Sequence, residues 1–120
     1  MKILNLTQHP ATAEQIEQGV FDVPQEFKAQ LCALLTFVSR PSRIEVVQRA
    51  NALALFADQF NSAGDVMIGG APFLMPFLHE RLEHHCMTPY YAFSERVSVE
   101  EALADGSVKK TNIFKHVGFV

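Results

Sequence analysis

The sequence predicts a three-layer α/β domain of the Rossmann-like kind, with a short parallel sheet and a C-terminal β-hairpin. Short apolar runs alternate with longer segments of helical periodicity, the order expected when helices connect parallel strands. A glycine pair, Gly69-Gly70, follows the central apolar run, where a strand would turn toward a helix. The last quarter of the chain alternates in polarity around Asp105-Gly106, a pair typical of tight hairpins.

The length and composition of the chain predict one domain spanning residues 1–120. The 120 residues are 48% hydrophobic, enough for a core without disulfides or metals. The net charge of −3 argues against binding nucleic acid through bulk charge. Cys32 and Cys86 lie far apart and are expected to be reduced, buried side chains. Because the N-terminus lacks a signal peptide and no apolar run reaches membrane-spanning length, we expect a cytoplasmic protein with no membrane partner.

The first quarter of the chain predicts one strand and one short helix. Residues 2–6 form the strand. Thr12 and Gln15 have the spacing of a capping box and begin a helix that ends near Gly19. Residues 20–23 are expected to be a connector with extended residues.

Two longer amphipathic helices follow. Pro24 is placed to begin the second helix, and Ser42 with Glu45 caps the third. The apolar stripe predicted for the second helix consists of Phe27, Leu31, Leu34, Leu35 and Val38. The stripe predicted for the third helix consists of Val46, Ala50, Leu53, Ala57 and Phe60.

The central strand is predicted at Asp65–Ile68, since valine and isoleucine suit a buried parallel strand. Pro72 is suited to the first position of a helix over residues 73–82. The intervening Gly69-Gly70 turn would then leave unpaired N–H groups near the positive end of the helix dipole, a common anion site.

The remaining elements are a third strand and the tail. Pro76 indicates either that the regular helix begins near Met75 or that its first turn is bent. The third strand is predicted at Pro89–Phe93. For the tail we favour a hairpin turning at Asp105-Gly106 over a short helix across residues 99–104.

Ligands of open α/β sheets bind beyond the carboxyl ends of the strands, so the residues that follow the three strands define a candidate site. These residues are Thr7, Gln8, His9, Gly69, Gly70, Ser94 and Arg96. We expect His9 to act as an acid or base near neutral pH and Arg96 to pair with a phosphate, which makes them the candidate catalytic residues. The glycine N–H groups, with Thr7, Gln8 and Ser94, would bind the ligand.

Each feature also has a plainer interpretation. Gly69-Gly70 could be only a tight strand–helix connection. His9 could be a loop residue that bonds to the backbone, and Ser94–Arg96 could be a solvated loop. Lys110 lies in a lysine-rich tail that would protect an edge strand, although it could instead reach a nucleotide or a partner subunit. The apolar residues Val117–Val120 indicate a docked last strand, in its own sheet or across a dimer interface.

No metal site or cofactor is predicted. The run His84-His85-Cys86 contains ligand types, but consecutive helical residues point about 100° apart and cannot close a tetrahedral site. Their position near the C-terminal end of a helix already explains the two histidines, because cations are favourable there.

The end of the first strand shares features with two known families. Thr7-Gln8-His9-Pro10 resembles the Arg-His-Gly segment of the histidine phosphatases at His9, but Gln8 replaces the phosphate-binding arginine and Pro10 the glycine. A strand followed by this segment, with a later strand ending in Ile68-Gly69, also resembles the small Rossmann-like CRISPR-associated proteins. That group includes the ring nucleases, which degrade cyclic oligoadenylates.

The second resemblance implies a homodimer that binds a cyclic RNA second messenger and cleaves it without a metal, by in-line attack of a ribose 2′-OH. His9 would then assist proton transfer, Gly69 and Gly70 would hold a phosphate, and Arg96 would stabilise the transition state. We therefore expect a phosphorylated or nucleotide ligand, with phosphodiesterase activity as the more specific hypothesis. The alternative is a noncatalytic accessory protein of a phage or mobile element, whose hairpin mediates assembly.

Overall fold

The computed structural model describes residues 1–120 and confirms the Rossmann-like α/β class. Its main sheet has four parallel strands in the order β2-β1-β3-β4, namely β1 (Ile3–Leu6), β2 (Val20–Asp22), β3 (Asp65–Ile68) and β4 (Thr88–Tyr90). The three predicted strands lie side by side and run in the same direction. The prediction of only three parallel strands was wrong, because β2 has just 3 residues and shows no periodicity of its own.

Four helices connect and cover these strands: α1 (Ala13–Glu17), α2 (Lys28–Leu35), α3 (Arg43–Asn61) and α4 (Met75–His84), with a 3₁₀ turn (Gln25–Phe27) leading into α2. The predicted capping box of Thr12 and Gln15 begins α1. The hydroxyl of Ser42 accepts a hydrogen bond from the Glu45 N–H at 3.2 Å and caps α3. These caps confirm the predicted helix starts.

The sheet has a buried face on each side. Leu4, Leu6 and Ile68 belong to the main core, which α2, α3 and α4 complete on one face. On the opposite face a smaller cluster of Ile3, Val20 and Met67 is covered by Ala11 and Phe119. The third layer therefore consists of short α1 with the chain preceding it and the base of the C-terminal hairpin.

One predicted helix limit was wrong. α2 ends at Leu35, because the chain becomes extended at the next residue, and Val38 is 97% exposed instead of forming part of the buried stripe. For α4, the alternative in which the regular helix begins near Met75 is confirmed, and Pro72 lies in a preceding turn instead of at the first helical position. Pro76 occupies the first turn of α4, where its missing N–H costs no helical hydrogen bond.

The cysteines are free thiols, but their predicted burial was wrong. Cys32 is half-buried in α2, whereas Cys86 is exposed. Cys86 lies just beyond α4 with a φ of +62°, so it belongs to the turn that ends the helix and faces solvent. None of the helices combines the length and the hydrophobicity that a membrane span requires.

The tail forms the predicted hairpin, which excludes the short helix. β5 (Ala92–Ala102) and β6 (Val108–Phe119) pair in an antiparallel sheet of their own. The turn contains three residues and not two, because Leu103 and Ser107 still bond to each other and Gly106 takes a φ of +86°. The third predicted strand was too long, since β4 ends at Tyr90 and the chain then leaves the main sheet.

The hairpin projects from the body, which gives the molecule extents of 57 × 36 × 27 Å. Its base is held in three ways. Phe119 packs on the smaller core cluster, and the buried His116 lies with Nε2 at 2.9 Å from Gln18 Oε1. Backbone hydrogen bonds run in both directions between Tyr91 and Val120. Most of the remaining hairpin is exposed on both faces.

Replacing Gly19 with alanine should destabilise the body. Gly19 has a φ of +100°, and a Cβ atom would lie 1.9 Å from the Met1 carbonyl oxygen. We expect Gly19→Ala to lower the free energy of unfolding by about 2 kcal/mol or more in urea titrations. Gly118→Ala is the matched control, since a Cβ there meets nothing within 4 Å. Equal effects of the two substitutions would contradict this explanation.

The hairpin turn should be sensitive to acid. The carboxylate of Asp105 accepts hydrogen bonds from the Ser107 hydroxyl and N–H, which lower its pKa below the ordinary value. A lowered pKa stabilises the turn above the ordinary aspartate pKa of about 3.9, and this contribution is lost as the pH falls through the folded value. We expect the Ser107 amide signal in NMR spectra to shift in that acidic range, and a pH-independent signal would contradict the assignment.

Candidate functional site

A cleft of about 730 Å³ opens at the carboxyl edge of the parallel sheet. The loops after β1 and β3 and the segment after β4 surround it, and the end of α2 forms a further wall. The residues of its lining that matter most are Thr7, Gln8, His9, Gly69, Gly70 and Tyr91. Three separate strand ends thus meet at one opening, as the parallel order of the strands predicts.

Asn5 fixes the loop after β1. It is only 3% exposed, and its amide uses its full hydrogen-bonding capacity. Its Nδ2 donates to the His9 carbonyl at 2.7 Å and to Asp22 Oδ1 at 2.8 Å. Its Oδ1 accepts from the Thr7 N–H at 3.0 Å and from the Thr7 hydroxyl at 2.7 Å. The backbone that carries Gln8 and His9 into the cleft is therefore tied to a buried group.

Asp22, the last residue of β2, extends this network. Its Oδ1 also accepts from the Ala11 N–H at 3.1 Å, which fixes the far end of the same loop. Its Oδ2 lies 3.6 Å from Lys28 Nζ, so a lysine balances the carboxylate. The overlooked strand β2 thereby supports the cleft wall without adding a free charge to it.

The end of α2 is bound to the same loop. Gln8 Nε2 donates to Thr36 Oγ1 at 2.8 Å, and the Thr36 hydroxyl donates to the Cys32 carbonyl at 2.7 Å. Arg49 Nη1 donates to three carbonyls at the end of α2, at distances of 3.0, 3.1 and 2.7 Å. Its guanidinium also lies 4.7 Å from the Phe37 ring centroid. Arg49 thus serves as a C-cap, because the last carbonyls of a helix have no partner within it.

Gly70 determines the shape of the loop after β3. Its φ of +147° lies where residues with a Cβ are strained. Gly69 has no such constraint, and a Cβ there would lie 3.5 Å from Thr7 Cγ2. Residues 71–74 separate Gly70 from α4, so the glycine pair does not begin the helix as predicted. Both glycines directly follow the last residue pair of the β1–β3 ladder, Leu6 with Ile68, and both line the cleft.

His79 and Tyr91 line an open groove that continues the cleft past the glycine pair. Their rings are stacked, with centroids 6.2 Å apart and planes inclined by 15°. His79 Nε2 lies 3.2 Å from Glu83 Oε1. An aromatic wall therefore stands beside the glycine loop, with a histidine–carboxylate pair behind it.

The cleft itself carries little charge. No lysine, arginine, aspartate or glutamate lines it. Lys28 and Arg49, which stand in the surrounding walls, are occupied by Asp22 and by the end of α2. His9 supplies the one imidazole of the lining, a group that can donate and accept hydrogen bonds.

The structure does not bring every predicted site residue to this cleft. Thr7, Gln8, His9, Gly69 and Gly70 line it together. The three others lie on the hairpin and not in the cleft lining: Ser94, Arg96 and Lys110. This part of the predicted geometry was wrong because the chain leaves the main sheet after β4 and carries the expected third strand end away from the rim.

The two cations on the hairpin have local partners. The Arg96 guanidinium carbon lies 5.8 Å from the centroid of the Phe114 ring. Lys110 Nζ lies 3.7 Å from Glu100 Oε1 on the opposite strand. Both pairs are cross-strand contacts of an exposed antiparallel ribbon, so these side chains stabilise the hairpin locally.

Sequence reasoning missed four residues of the site: Asn5, Asp22, Thr36 and Tyr91. Asn5 interrupts the apolar run Ile3–Leu6, and a polar residue inside a buried strand indicates a hydrogen-bonded role. Asp22 could have been found only after β2 was recognised. Thr36 and Tyr91 carry no comparable signal, since their positions depend on where α2 and β4 end.

Fold and site together define a small Rossmann-like α/β protein with a nearly uncharged polar cleft at the carboxyl edge of its sheet and a projecting β-hairpin. The chain belongs to the uncharacterized protein MJ1673 family, whose profile matches residues 1–120. No curated protein and no solved structure matches the chain.

Removing the Asn5 amide should loosen the loop after β1. We expect Asn5→Ala to lower the free energy of unfolding by about 2–3 kcal/mol, because Asp22 and the His9 carbonyl lose a buried donor. Urea titration monitored by circular dichroism measures the change. Asn112→Ala is the control, since Asn112 is exposed and bonds only to Ser98. If both variants unfold at the same urea concentration, the buried network does not have this role.

Proposed function

We propose that the protein binds a nucleotide or a similar phosphorylated small molecule in the cleft beyond β1, β3 and β4. The observation that carries this proposal is the convergence of three strand-end loops on one opening of about 730 Å³. That volume lies within the range of pockets that enclose small ligands. The position also follows the general rule for ligand sites in parallel α/β sheets.

The chemistry of the lining favours recognition by neutral donors. Gly69 and Gly70 line the cleft, and backbone N–H groups of glycine-containing loops bind phosphate oxygens in many proteins. The His9 imidazole adds a donor at the mouth of the cleft. Phe37 and Tyr91 offer aromatic surface of the kind on which a base stacks.

The resemblance of Thr7-Gln8-His9-Pro10 and Ile68-Gly69 to the CRISPR-associated ring nucleases suggests which nucleotides to test first. Cyclic oligoadenylates combine several phosphates with stacking bases, and both kinds of group have partners in this cleft. A cytoplasmic protein linked to a CRISPR system would encounter such ligands.

We place binding before cleavage. Metal-independent cleavage was expected to use Arg96 for the charge of the transition state, yet Arg96 lies on the hairpin against Phe114. His9 remains available for proton transfer, but no cation accompanies it in the lining. This arrangement favours a protein that binds the ligand without hydrolysing it.

A thermal-shift screen with mono-, di- and cyclic nucleotides tests the proposal. A bound ligand raises the melting temperature in proportion to the logarithm of its excess over the dissociation constant. We expect His9→Ala and Gly69→Ala to weaken binding about tenfold by calorimetry, since each changes the lining, and 1.4 kcal/mol corresponds to that factor. Incubation of the best ligand with the protein, followed by chromatography, then reports any cleavage.

Arg96→Ala is the matched control, because Arg96 is a charged residue that does not line the cleft. It should bind the ligand as tightly as the unmodified protein. If Arg96→Ala weakens binding and His9→Ala does not, the ligand binds elsewhere. If no nucleotide at about 1 mM raises the melting temperature, the nucleotide proposal is wrong.

A further inference from the structure

The two faces of the hairpin differ in composition. Directly paired residues of β5 and β6 lie on the same face, and the face alternates along each strand. One face, which we name the apolar face, carries the large apolar side chains Phe93, Val97, Val99, Leu103 and Ile113. Four of these five are more than 40% exposed, namely Phe93, Val99, Leu103 and Ile113. The other face carries paired polar side chains, such as Ser98 with Asn112 and Glu100 with Lys110, and two separate exposed apolar side chains, Phe114 and Val108.

The apolar face points away from the body of its own chain. His116, which is buried against Gln18 of the α1 segment, lies on the opposite face together with Phe114. The hairpin therefore docks through its polar face and leaves its more apolar face uncovered. An exposed apolar strand pair of this length is unfavourable in water unless another surface covers it.

Charged pairs bracket the apolar centre of this face. Glu95 lies directly opposite Lys115 on the side nearer the body, and Glu101 lies opposite Lys109 on the side nearer the tip. At both ends the glutamate is on β5 and the lysine is on β6. On this face the negative charges therefore all lie on β5 and the positive charges all lie on β6, both near the body and near the tip.

This pattern selects how a second identical face could stack on the first. A two-fold axis along the hairpin places β5 of one copy over β6 of the other, so that Glu95 meets the other copy's lysine and Val97 meets its isoleucine. A two-fold axis across the hairpin instead places β5 over β5, so that each glutamate faces another glutamate. The first arrangement is complementary in charge, and the second is repulsive.

We propose that a second copy of this chain covers the apolar face, with the two hairpins stacked face to face around a two-fold axis parallel to their length. The contact is isologous, since each copy contributes the same residues. Packed sheets are about 10 Å apart, which suits interdigitation of the valine and isoleucine side chains.

The area of the contact sets its strength. A strand of 11 residues at about 3.3 Å per residue is about 36 Å long, and two strands give a footprint of about 360 Å². A standard interface buries about 800 Å² per partner, so we expect a weak dimer in equilibrium with the monomer. Its population will therefore rise with protein concentration.

Sedimentation of the full chain over a concentration series tests the proposal, and its outcome is independent of ligand binding. The unmodified protein should approach twice the mass of one chain at high concentration. Ile113→Ser should weaken association at least tenfold, because it removes the centre of the apolar face. Phe114→Ser is the matched control: it removes a more exposed apolar ring from the neighbouring position on the other face, and it should change association less than twofold.

A charge exchange adds a second test. The variant Lys109→Glu with Lys115→Glu and the variant Glu95→Lys with Glu101→Lys should each remain monomeric, whereas an equimolar mixture should form dimers. Isotope-filtered NMR on mixed labelled and unlabelled unmodified protein tests the same contact without any substitution, through signals between Val97 and Ile113 of different copies. A monomer at several hundred micromolar, equal effects of Ile113→Ser and Phe114→Ser, or no signal between copies overturns the proposal.

Discussion

The buried amide of Asn5 is the interaction on which the geometry of the cleft depends. In an apolar strand this side chain must find partners for two donors and one carbonyl oxygen, and it finds them in Thr7, the His9 carbonyl and Asp22. The strand end, the loop that follows it and the edge strand β2 consequently form one unit. Since a half-satisfied buried network is costly, loops that break this pattern are disfavoured. The cleft wall is thus set by hydrogen bonding and not by loop length alone.

Periodicity and caps were sufficient to predict the elements that pack on a core. The strands at Ile3–Leu6 and Asp65–Ile68 and the helix beginning after Ser42 appear where apolar spacing placed them. Strands whose existence or length depends on pairing with residues distant in sequence could not be predicted from periodicity and caps. β2 is defined by its neighbour β1, and the third strand ends at Tyr90 because the next residues pair with the C-terminal strand.

The same limit explains what was missed in the site. Residues next to the ends of β1 and β3 were placed correctly, because strand direction alone brings those ends together. Arg96 was misplaced because its position depends on pairing with Phe114, 18 residues further along the chain. A site built from local strand ends can be predicted from sequence, whereas a cation contributed from a distant pairing cannot. Without Arg96 in the lining, we expect the cleft to bind a ligand through hydrogen bonds from uncharged groups and not through a positive charge.

Tyr91 joins the cleft to the hairpin. Its side chain lines the cleft, while its backbone exchanges two hydrogen bonds with Val120, at 2.9 and 2.8 Å. The same residue therefore belongs to the wall of the proposed ligand site and to the base of the hairpin, which Phe119 and the His116–Gln18 contact also hold. Under the proposed function, a ligand that displaced the tyrosine ring would act directly beside one of the three attachments of the hairpin.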